Sequence, residues 1–567
     1  MRYLQILLLT LLAACGADQA GQPATRLAPQ ALTEHSKLFR QGVEKVTDGV
    51  YVAIGFGLAN AIMLEGKDGI VIVDTMETIA EARAVLAAFR EITDKPVRAI
   101  IYTHNHTDHV FGASVFAARA DIPVYAHETT SEHINRVINQ IRPIISLRSM
   151  RMFGNHLPPG ELINDGIGPA LGITPDSELF ALTPTRTFTD RLSVDVAGLR
   201  LELVHAPGET PDQLFVWLPD KRVVLSGDNI YQAFPNLYTI RGTAYRDVKQ
   251  WAHSLDRIRE LDAEYLVPSH GRPVAGRDTI RALLGDYSDA INFVHDQTLR
   301  HMNRGLTPDQ IVAEVQLPAH LASNPWLQEF YGKVSWSVRS IFSGYLGWFS
   351  GNPSELQPMT ERQQAQRMAA LAGDDRNLLA RAQEALASGD AQWALELSDH
   401  LLVLAPGDRA SLDLRASALR QLGELEANPN ARNYYFTVAR EVADGLNPAF
   451  RPRISEGFLA TLPIENFLHA MPPLLKAEAT LDQEVALGFN FRDSGKQFTL
   501  RIRRGVARVV SGIDANVDAT IDTTEASWKA IAAGLQNPAA ALAGDSMDIA
   551  GSKLTALRIL GYFESID

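Results

Sequence analysis

One six-residue segment of the chain holds three histidines and an aspartate. The segment reads HNHTDH at 104–109 and follows an apolar run at 97–102. Imidazole suits zinc, and a carboxylate completes a mixed set of metal ligands. Alternate residues of an extended loop reach two neighbouring points, so His104, His106, Asp108 and His109 can serve two metal ions. Two metals close together lower the pKa of a shared water and yield hydroxide near neutral pH. The segment therefore predicts a dinuclear hydrolytic site.

Further polar groups follow other short apolar runs of the chain. Asp74 ends the run 69–73, Glu209 lies in the turn APGET at 206–210, and Asp228 follows the run 222–225. His270 lies in PSHG at 268–271, after the run 265–267. These runs read as strands, and such folds carry their chemistry on loops at strand ends, over a rigid sheet. We therefore expect these side chains to lie near the histidine segment.

The histidine segment and its leading strand strongly resemble the signature of the metallo-β-lactamase superfamily. The match extends to Asp74, the turn at Gly208, Asp228 and His270. The resemblance implies an α/β fold, the αββα sandwich of that superfamily, over residues 35–277. It also implies a cofactor of two Zn²⁺ ions per chain.

One departure narrows the resemblance to the alkyl sulfatase branch. Most superfamily members carry a histidine after the Pro-Gly turn, where this chain has Glu209, whereas His205 precedes the turn and is expected to point elsewhere. In the branch that the chain resembles, Asp228 bridges the metals, although many of its members have a glutamate there. The resemblance then implies one metal on His104, His106 and Glu209, and a second on Asp108, His109 and His270.

The resemblance extends over roughly residues 35–567. It includes NLYTIRG at 236–242, FVHDQTL at 293–299, FYGKVS at 330–335 and YLGWFSGNP at 345–353. It implies that the helical region 278–445 is a dimerisation domain, so the chain is expected to form a homodimer. Residues 452–567 resemble a sterol-carrier-protein-like domain, an α+β fold that shelters an aliphatic chain.

A sulfate ester needs cationic groups at its oxygens. Arg241 is the best candidate, since a guanidinium holds two oxygens at once. Arg246 is a second candidate, for another contact or for proton delivery, and a surface salt bridge is the alternative for both arginines. Asn229 and Asn236 either donate to the sulfate or only form turns. We count Asp108, Arg241 and Arg246 as the catalytic candidates.

The sequence thus predicts hydrolysis of alkyl sulfate esters such as dodecyl sulfate to an alcohol and inorganic sulfate. Two alternatives remain open. One keeps the metal site and changes the substrate to a secondary alkyl sulfate, a lactone, a lactam or a thioester. The other is a lipid-binding carrier with a vestigial metal site.

Composition bounds the partners. The chain has 567 residues and a formal net charge of −13, which argues against nucleic acid, because phosphate binding needs a basic face. The only cysteine is Cys15, so no intramolecular disulfide forms. The length suggests several domains.

The first 15 residues read as a secretory signal. A positive residue, a short apolar run and LAAC at 12–15 resemble a bacterial lipobox. This predicts a lipidated Cys15, a tether at 16–34, and a periplasmic lipoprotein anchored to the outer membrane of a Gram-negative bacterium. Contact with a membrane is expected only through this anchor.

The remaining pattern divides the chain by type of element. Strands and helices mix up to about residue 277, and helical periodicity dominates from 278 to 443 with a helix-turn-helix pair at 377–422. The last module is predicted to open with a helix. Strands at 484–489, 497–502, 506–510 and 519–523 follow, and two helices are predicted to close the chain.

Overall fold

The computed structural model describes residues 27–117, 119, 121–447, 453–454, 456–544 and 546–564. The predicted signal segment 1–15, with Cys15, lies outside the described residues and stays a prediction, which membrane fractionation of a Cys15→Ala variant tests. Among the described residues, no helix combines the length and apolarity needed to cross a bilayer.

The predicted tether at 16–34 is wrong for its last part. Helix α1 (Leu27–His35) buries Leu32 completely, and Asn164 donates a 2.8 Å hydrogen bond to the Leu32 carbonyl. The His35 ring stacks on Phe330 at 4.2 Å. The stretch from 16 to about 30 is rich in Ala, Gly, Gln and Pro and indicates a tether, but the Leu32 side chain of α1 finds a packing surface on the folded domain.

Residues up to 277 form two sheets. The first has seven strands in the order β1-β2-β3-β4-β5-β6-β8, and the second six in the order β14-β13-β12-β11-β10-β9. The strands of these two sheets are β1 (Gly42–Thr47), β2 (Val50–Ile54), β3 (Ala61–Glu65), β4 (Ile70–Val73), β5 (Val97–Ile101), β6 (Val124–His127), β8 (Arg186–Phe188), β9 (Arg191–Val196), β10 (Leu199–His205), β11 (Leu214–Leu218), β12 (Val223–Gly227), β13 (Tyr265–Pro268) and β14 (Val274–Ala275). The short strand β7 (Glu178–Leu179) belongs to neither sheet and pairs with β15 (Arg453–Ile454) of the last module.

The two sheets pack face to face. Alternate residues of a strand point to opposite faces, so Val50, Val52 and Ile54 of β2 all enter the core between the sheets. Helices cover both outer faces. They are α2 (Ile79–Arg90), α3 (Thr107–Val110), α4 (Thr130–Asn135), α5 (Arg142–Met152) and α6 (Val248–Arg259), with a π-helix (Arg136–Gln140) between α4 and α5. Phe89 of α2 packs on the first sheet and Trp251 of α6 on the second, which confirms the αββα sandwich.

The region 278–445 is helical, as predicted, and its first helix continues the layer over the second sheet. The helices are α7 (Arg277–Met302), α8 (Pro308–Glu314), α9 (Ala319–Ala322), α10 (Val334–Leu346), α11 (Glu361–Ala372), α12 (Asp375–Ala387), α13 (Ala391–Leu404), α14 (Arg409–Leu425) and α15 (Pro429–Asp444). Helices α11 to α14 share a small core around Ala382 and Leu397. Helix α15 returns to the sandwich, where Arg151 of α5 forms a bidentate pair with Glu441.

The last module is an α+β domain with a five-stranded sheet in the order β18-β17-β16-β19-β20. Its elements are β15 (Arg453–Ile454), α16 (Glu456–Thr461), α17 (Ile464–His469), β16 (Glu484–Phe491), β17 (Gln497–Arg503), β18 (Val506–Ser511), β19 (Ala519–Thr523), α18 (Glu525–Ala532), α19 (Pro538–Ala543), β20 (Met547–Gly551) and α20 (Lys553–Leu560). The prediction of two closing helices is wrong, because three helices and the strand β20 follow β19. The sequence MDIAG has weak strand propensity, but Met547 and Ile549 are buried once β20 pairs with the edge of β19.

Candidate metal centre

The histidine segment turns sharply after the buried strand β5. His104 leaves the strand fully buried, and His106 precedes the first turn of α3, which carries Asp108 and His109. The six ligand atoms that the structure brings together form two groups, and within each group they lie within 4.8 Å of one another. One group is His104, His106 and Asp228, and the other is Asp108, His109 and His270.

Asp228 lies between the two groups. Its Oδ2 atom is 3.6 Å from Nε2 of His104, 3.6 Å from Nε2 of His109 and 3.2 Å from Nε2 of His270. Nε2 of His104 is also 2.9 Å from Nδ1 of His106. A carboxylate in this position reaches both groups, as expected of the predicted bridge.

Glu209 lies in the same cavity but belongs to neither group. Its buried carboxylate lies 2.9 Å from Nη1 of Arg246, which is itself 2% exposed at the side chain. Burial raises the pKa of Glu209, and the Arg246 guanidinium opposes that rise. His205 does point elsewhere: its Nε2 lies 2.8 Å from the Pro211 carbonyl and its ring stacks on His127 at 3.9 Å.

Several fully buried atoms of the candidate metal ligands have no hydrogen-bond partner among the described residues. They are Nε2 of His109, Nε2 of His270, Oδ1 of Asp228 and Oε2 of Glu209. Leaving such groups unpaired is costly, and buried carboxylates are usually paired or bound to metal. Converging nitrogen and oxygen donors of this kind are the ligands that zinc takes, so these residues fit a pair of metal ions.

The ring nitrogens of His109 and His270 that point away from the centre have hydrogen-bond partners. Nδ1 of His109 lies 2.7 Å from Oδ2 of Asp74, and Nδ1 of His270 lies 2.9 Å from the Leu58 carbonyl. Asp74 also accepts hydrogen bonds from Thr103 and Ser269. Such contacts fix ring orientation and leave Nε2 facing inward. The sequence pointed to Asp74 but not to this role, which depends on three segments that meet only in the fold.

The buried charges act strongly on one another. Burial raises the pKa of Asp108, but the neighbouring His109 and His270 outweigh it and lower that pKa to about 2. Burial lowers the pKa of His109, but Asp108, Asp228 and Asp74 outweigh it and hold that pKa well above its usual range. Burial, reinforced by the adjacent His109, holds the pKa of His104 well below its usual range. The Asp108 carboxylate is thus ionised and the His104 imidazole neutral, which are the forms that bind a cation, whereas His109 is held protonated and must release that proton to bind one.

A cavity of about 420 Å³ opens onto this centre, within the usual size range of small-molecule sites. Both predicted arginines line it. Arg241 donates to Thr239 Oγ1 at 3.2 Å, and its Nη2 lies 3.0 Å from Nε2 of His106. Most of the remaining wall is apolar, and includes Ile134, Ile141, Ile145, Phe153, Ile167 and Leu171.

The two predicted asparagines do not line the cavity. Asn229 supports the Pro-Gly turn: it donates to the Ala206 carbonyl at 3.1 Å, and a Cβ on Gly208 would lie 1.8 Å from its Oδ1. The structure thus favours the turn-forming alternative for Asn229. Asn236 is fully buried beside Arg246, which donates to its carbonyl oxygen. Neither amide atom of the Asn236 side chain has a hydrogen-bond partner in the described part of the chain.

Glu77 is a buried carboxyl near the centre that the sequence did not single out. Its Oε1 accepts from the backbone N–H groups of Leu58 and Gly172, whereas its Oε2 has no partner among the described residues. Burial raises the pKa of Glu77 well above its usual range, and the charges of Glu81 and Asp108 raise it further. Through Leu58, Glu77 supports the loop that contacts His270.

We expect Glu77→Gln to stabilise chelator-treated protein at neutral pH. Between the usual glutamate pKa and its raised value, the folded state holds a proton that the unfolded state has released, so stability falls as pH rises. Glutamine keeps the Oε1 acceptor and removes this loss. The gain in melting temperature over wild type should be near zero at about pH 4 and largest at about pH 8. Glu91→Gln, at an exposed position, is the control, and an equal or lower melting temperature at every pH would contradict the expectation.

Comparison with known proteins places three segments of the chain. Residues 307–445 match the family model for alkyl sulfatase dimerisation, residues 54–270 match the metallo-beta-lactamase superfamily, and residues 452–567 match the alkyl sulfatase C-terminal model. The chain is 39% identical over 473 residues to a linear primary-alkylsulfatase of Pseudomonas sp., covering 80% of this chain and 88% of that protein.

Two further relatives resemble most of the chain. An (R)-specific secondary-alkylsulfatase of Pseudomonas sp. is 30% identical over 487 residues, which are 82% of this chain and 72% of that one. The solved structure of the stereoselective inverting sec-alkylsulfatase Pisa1 from Pseudomonas sp. superposes with a TM-score of 0.86 at 27% identity. The superposition covers 95% of this chain and 87% of the Pisa1 chain.

Proposed function

The chain belongs to the alkyl sulfatase family of the metallo-β-lactamase superfamily, and from this premise we propose that it hydrolyses primary alkyl sulfates such as dodecyl sulfate to an alcohol and inorganic sulfate. One observation carries the proposal. Two groups of buried candidate metal ligands face a single cavity together with Arg241 and Arg246, and the rest of its wall is mostly apolar but also includes Arg136, Arg142 and Arg148. Such a cavity suits an anionic head joined to an aliphatic chain.

The proposal includes two zinc ions per chain. The first would be held by His104 and His106 and the second by Asp108, His109 and His270, with Asp228 between them. Glu209 would complete the first set once its carboxylate moves towards His104 and His106; its Oε2 atom has no hydrogen-bond partner among the described residues, so Oε1 can stay on Arg246. When bound, the two ions supply positive charge and a water whose pKa is lowered towards neutrality.

The protein's own residues have separate tasks in this reaction. Arg241 is the sulfate-binding group, since its guanidinium lines the cavity beside His106. Arg246 holds the Glu209 carboxylate in position through their ion pair. This role requires no proton transfer by Arg246. Asp74 holds the ring of His109. Apolar residues of the cavity wall such as Ile145 and Leu171 exclude water from the alkyl chain of the substrate.

A secondary alkyl sulfate is the second candidate substrate. The chain is similar in sequence both to a primary alkylsulfatase and to a secondary one. The solved structure of a sec-alkylsulfatase superposes on 95% of this chain. Asp228 is shorter by one methylene than the glutamate expected at this position, which leaves the centre open to an altered preference. A primary and a secondary substrate therefore belong in the same assay.

We also propose a homodimer, supported by the match of residues 307–445 to the dimerisation model. Large apolar side chains of the segment 345–359 are exposed, namely Tyr345, Leu346, Trp348, Leu356 and Met359. Exposed apolar patches of this kind mark interaction surfaces. Light scattering of the purified chain distinguishes a dimer from a monomer.

The test is sulfate release by purified protein lacking residues 1–15. We expect dodecyl sulfate to yield sulfate, a chelator to stop the release, and added zinc to restore it. Metal analysis should find about two zinc ions per chain. Sulfate release only from a secondary sulfate such as 2-octyl sulfate would show that the enzyme hydrolyses alkyl sulfates but prefers secondary ones. No release from either, by protein that holds its metals, would contradict the proposal.

A further inference from the structure

Among the described residues of the C-terminal module, Phe458 is the one that lines the cavity of the sandwich domain. Phe458 of α16 is 2% exposed overall and is one of the residues that line the cavity. Its ring lies 5.7 Å from that of Phe111 and 5.9 Å from that of Phe180. Phe111 also lines the cavity, and it follows the metal ligand Asp108 by three residues. Asp108, Phe111 and Phe458 all line this cavity, and we treat them as a row that starts at the candidate metal ligand Asp108.

The junction around Phe458 is built by backbone as well as side chains. Strand β15 pairs in parallel with β7, so that Ile454 lies opposite Leu179, another residue of the cavity wall. The Phe180 N–H donates to the Phe111 carbonyl at 2.7 Å. A Cβ on Gly457 would lie 2.9 Å from the Phe180 ring. Phe458 is therefore held in place from two sides.

The two domains share one apolar core across this junction. Val85 and Phe116 of the sandwich domain belong to the same buried cluster as Phe458 and Leu487 of the C-terminal module. Inside the module, the rings of Phe489 and Trp528 pack 4.8 Å apart. The sheet is thus covered by its own aromatic side chains, whereas the ring of Phe458 faces the cavity of the other domain.

We propose that Phe458 forms the distal wall of the alkyl-chain site, so that the C-terminal module sets the chain-length preference of the enzyme. This rests on the proposed alkyl sulfatase function. The sulfate lies at Arg241, and an extended chain runs along the row from Asp108 past Phe111. Its last carbons meet Phe458, whereas a short chain ends before this wall. Each methylene buried against apolar surface contributes a roughly constant gain in binding, so the wall matters only for chains that reach it.

The experiment compares dodecyl and hexyl sulfate on full-length, metal-loaded enzyme. In Phe458→Ala, we expect the ratio of kcat/KM for dodecyl over hexyl sulfate to fall about tenfold, with hexyl sulfate changed less than about twofold. The same ratio for Phe458→Leu should lie between those of wild type and Phe458→Ala. The leucine variant replaces the alanine variant if the latter does not fold. Leu459→Ala is the matched control, because Leu459 lies in the same buried core but not in the cavity wall.

Two results overturn the proposal while leaving the function in place. One is a wild-type ratio in folded Phe458→Ala, and the other is an equal fall in Leu459→Ala, which would trace the effect to packing between the domains. If wild-type protein releases no sulfate at all, the proposed function fails, and calorimetry with dodecanesulfonate and hexanesulfonate decides the question of the wall. A selective loss of dodecanesulfonate binding of about tenfold in Phe458→Ala supports it. An equal change for both probes overturns it.

Discussion

Asp228→Asn is expected to lower sulfate release by at least about 10³-fold and to leave the fold intact. The Asp228 carboxylate lies within 3.6 Å of three imidazoles from both ligand groups, so it is the residue that links them. Asparagine has nearly the same shape, but it is neutral and offers one oxygen instead of two. Losing half of a bridging ligand should separate the two metals and expel at least one.

The measurement combines sulfate release with metal analysis and circular dichroism. We expect metal content to fall from about two ions per chain to one or fewer, with an unchanged helical signal. Asp195→Asn is the control, since this carboxylate is exposed on β9 of the same domain. Wild-type turnover by the Asp228 variant with a full metal complement would remove Asp228 from the centre.

The ligands could be predicted from the sequence because their spacing is local. His104, His106, Asp108 and His109 follow one strand, and the structure brings His104 and His106 into one group of candidate ligands and Asp108 and His109 into the other. Asp228 and His270 each follow a buried strand of the second sheet, and strand ends meet at one edge of the sandwich. Only the family resemblance indicated Glu209 as a metal ligand. Its ion pair with Arg246 joins two residues 37 positions apart in the chain, so no local spacing predicts it.

Other features have no local signal in the sequence. Asn229 sits next to Asp228 in sequence, yet its amide faces the Pro-Gly turn because Gly208 leaves room for it. Strand β20 forms only because β19 offers a free edge. Phe458 looks like any core aromatic, and its place in the cavity wall follows from a contact with Phe111 that spans most of the chain. Long-range packing decides these positions.

Arg241→Ala is expected to lower kcat/KM for dodecyl sulfate by about 10²- to 10³-fold, with unchanged metal content. The Arg241 guanidinium lines the cavity and is held by Thr239, with its Nη2 3.0 Å from Nε2 of His106. It is thus a positive group in the cavity beside the first ligand group. The sulfate ester is anionic before and during cleavage, so losing this charge should weaken both ground-state and transition-state binding.

Arg241→Lys separates charge from geometry. Lysine keeps the positive charge but offers one ammonium group in place of a planar fork that binds two oxygens at once. If bidentate binding is what Arg241 provides, Arg241→Lys should recover about tenfold over alanine and remain well below wild type. Arg136→Ala removes an exposed charge from the same cavity wall, and we expect it to change kcat/KM only a few-fold. Equal effects of Arg241→Ala and Arg136→Ala would mean that the cavity needs positive potential in general and that Arg241 does not hold the sulfate.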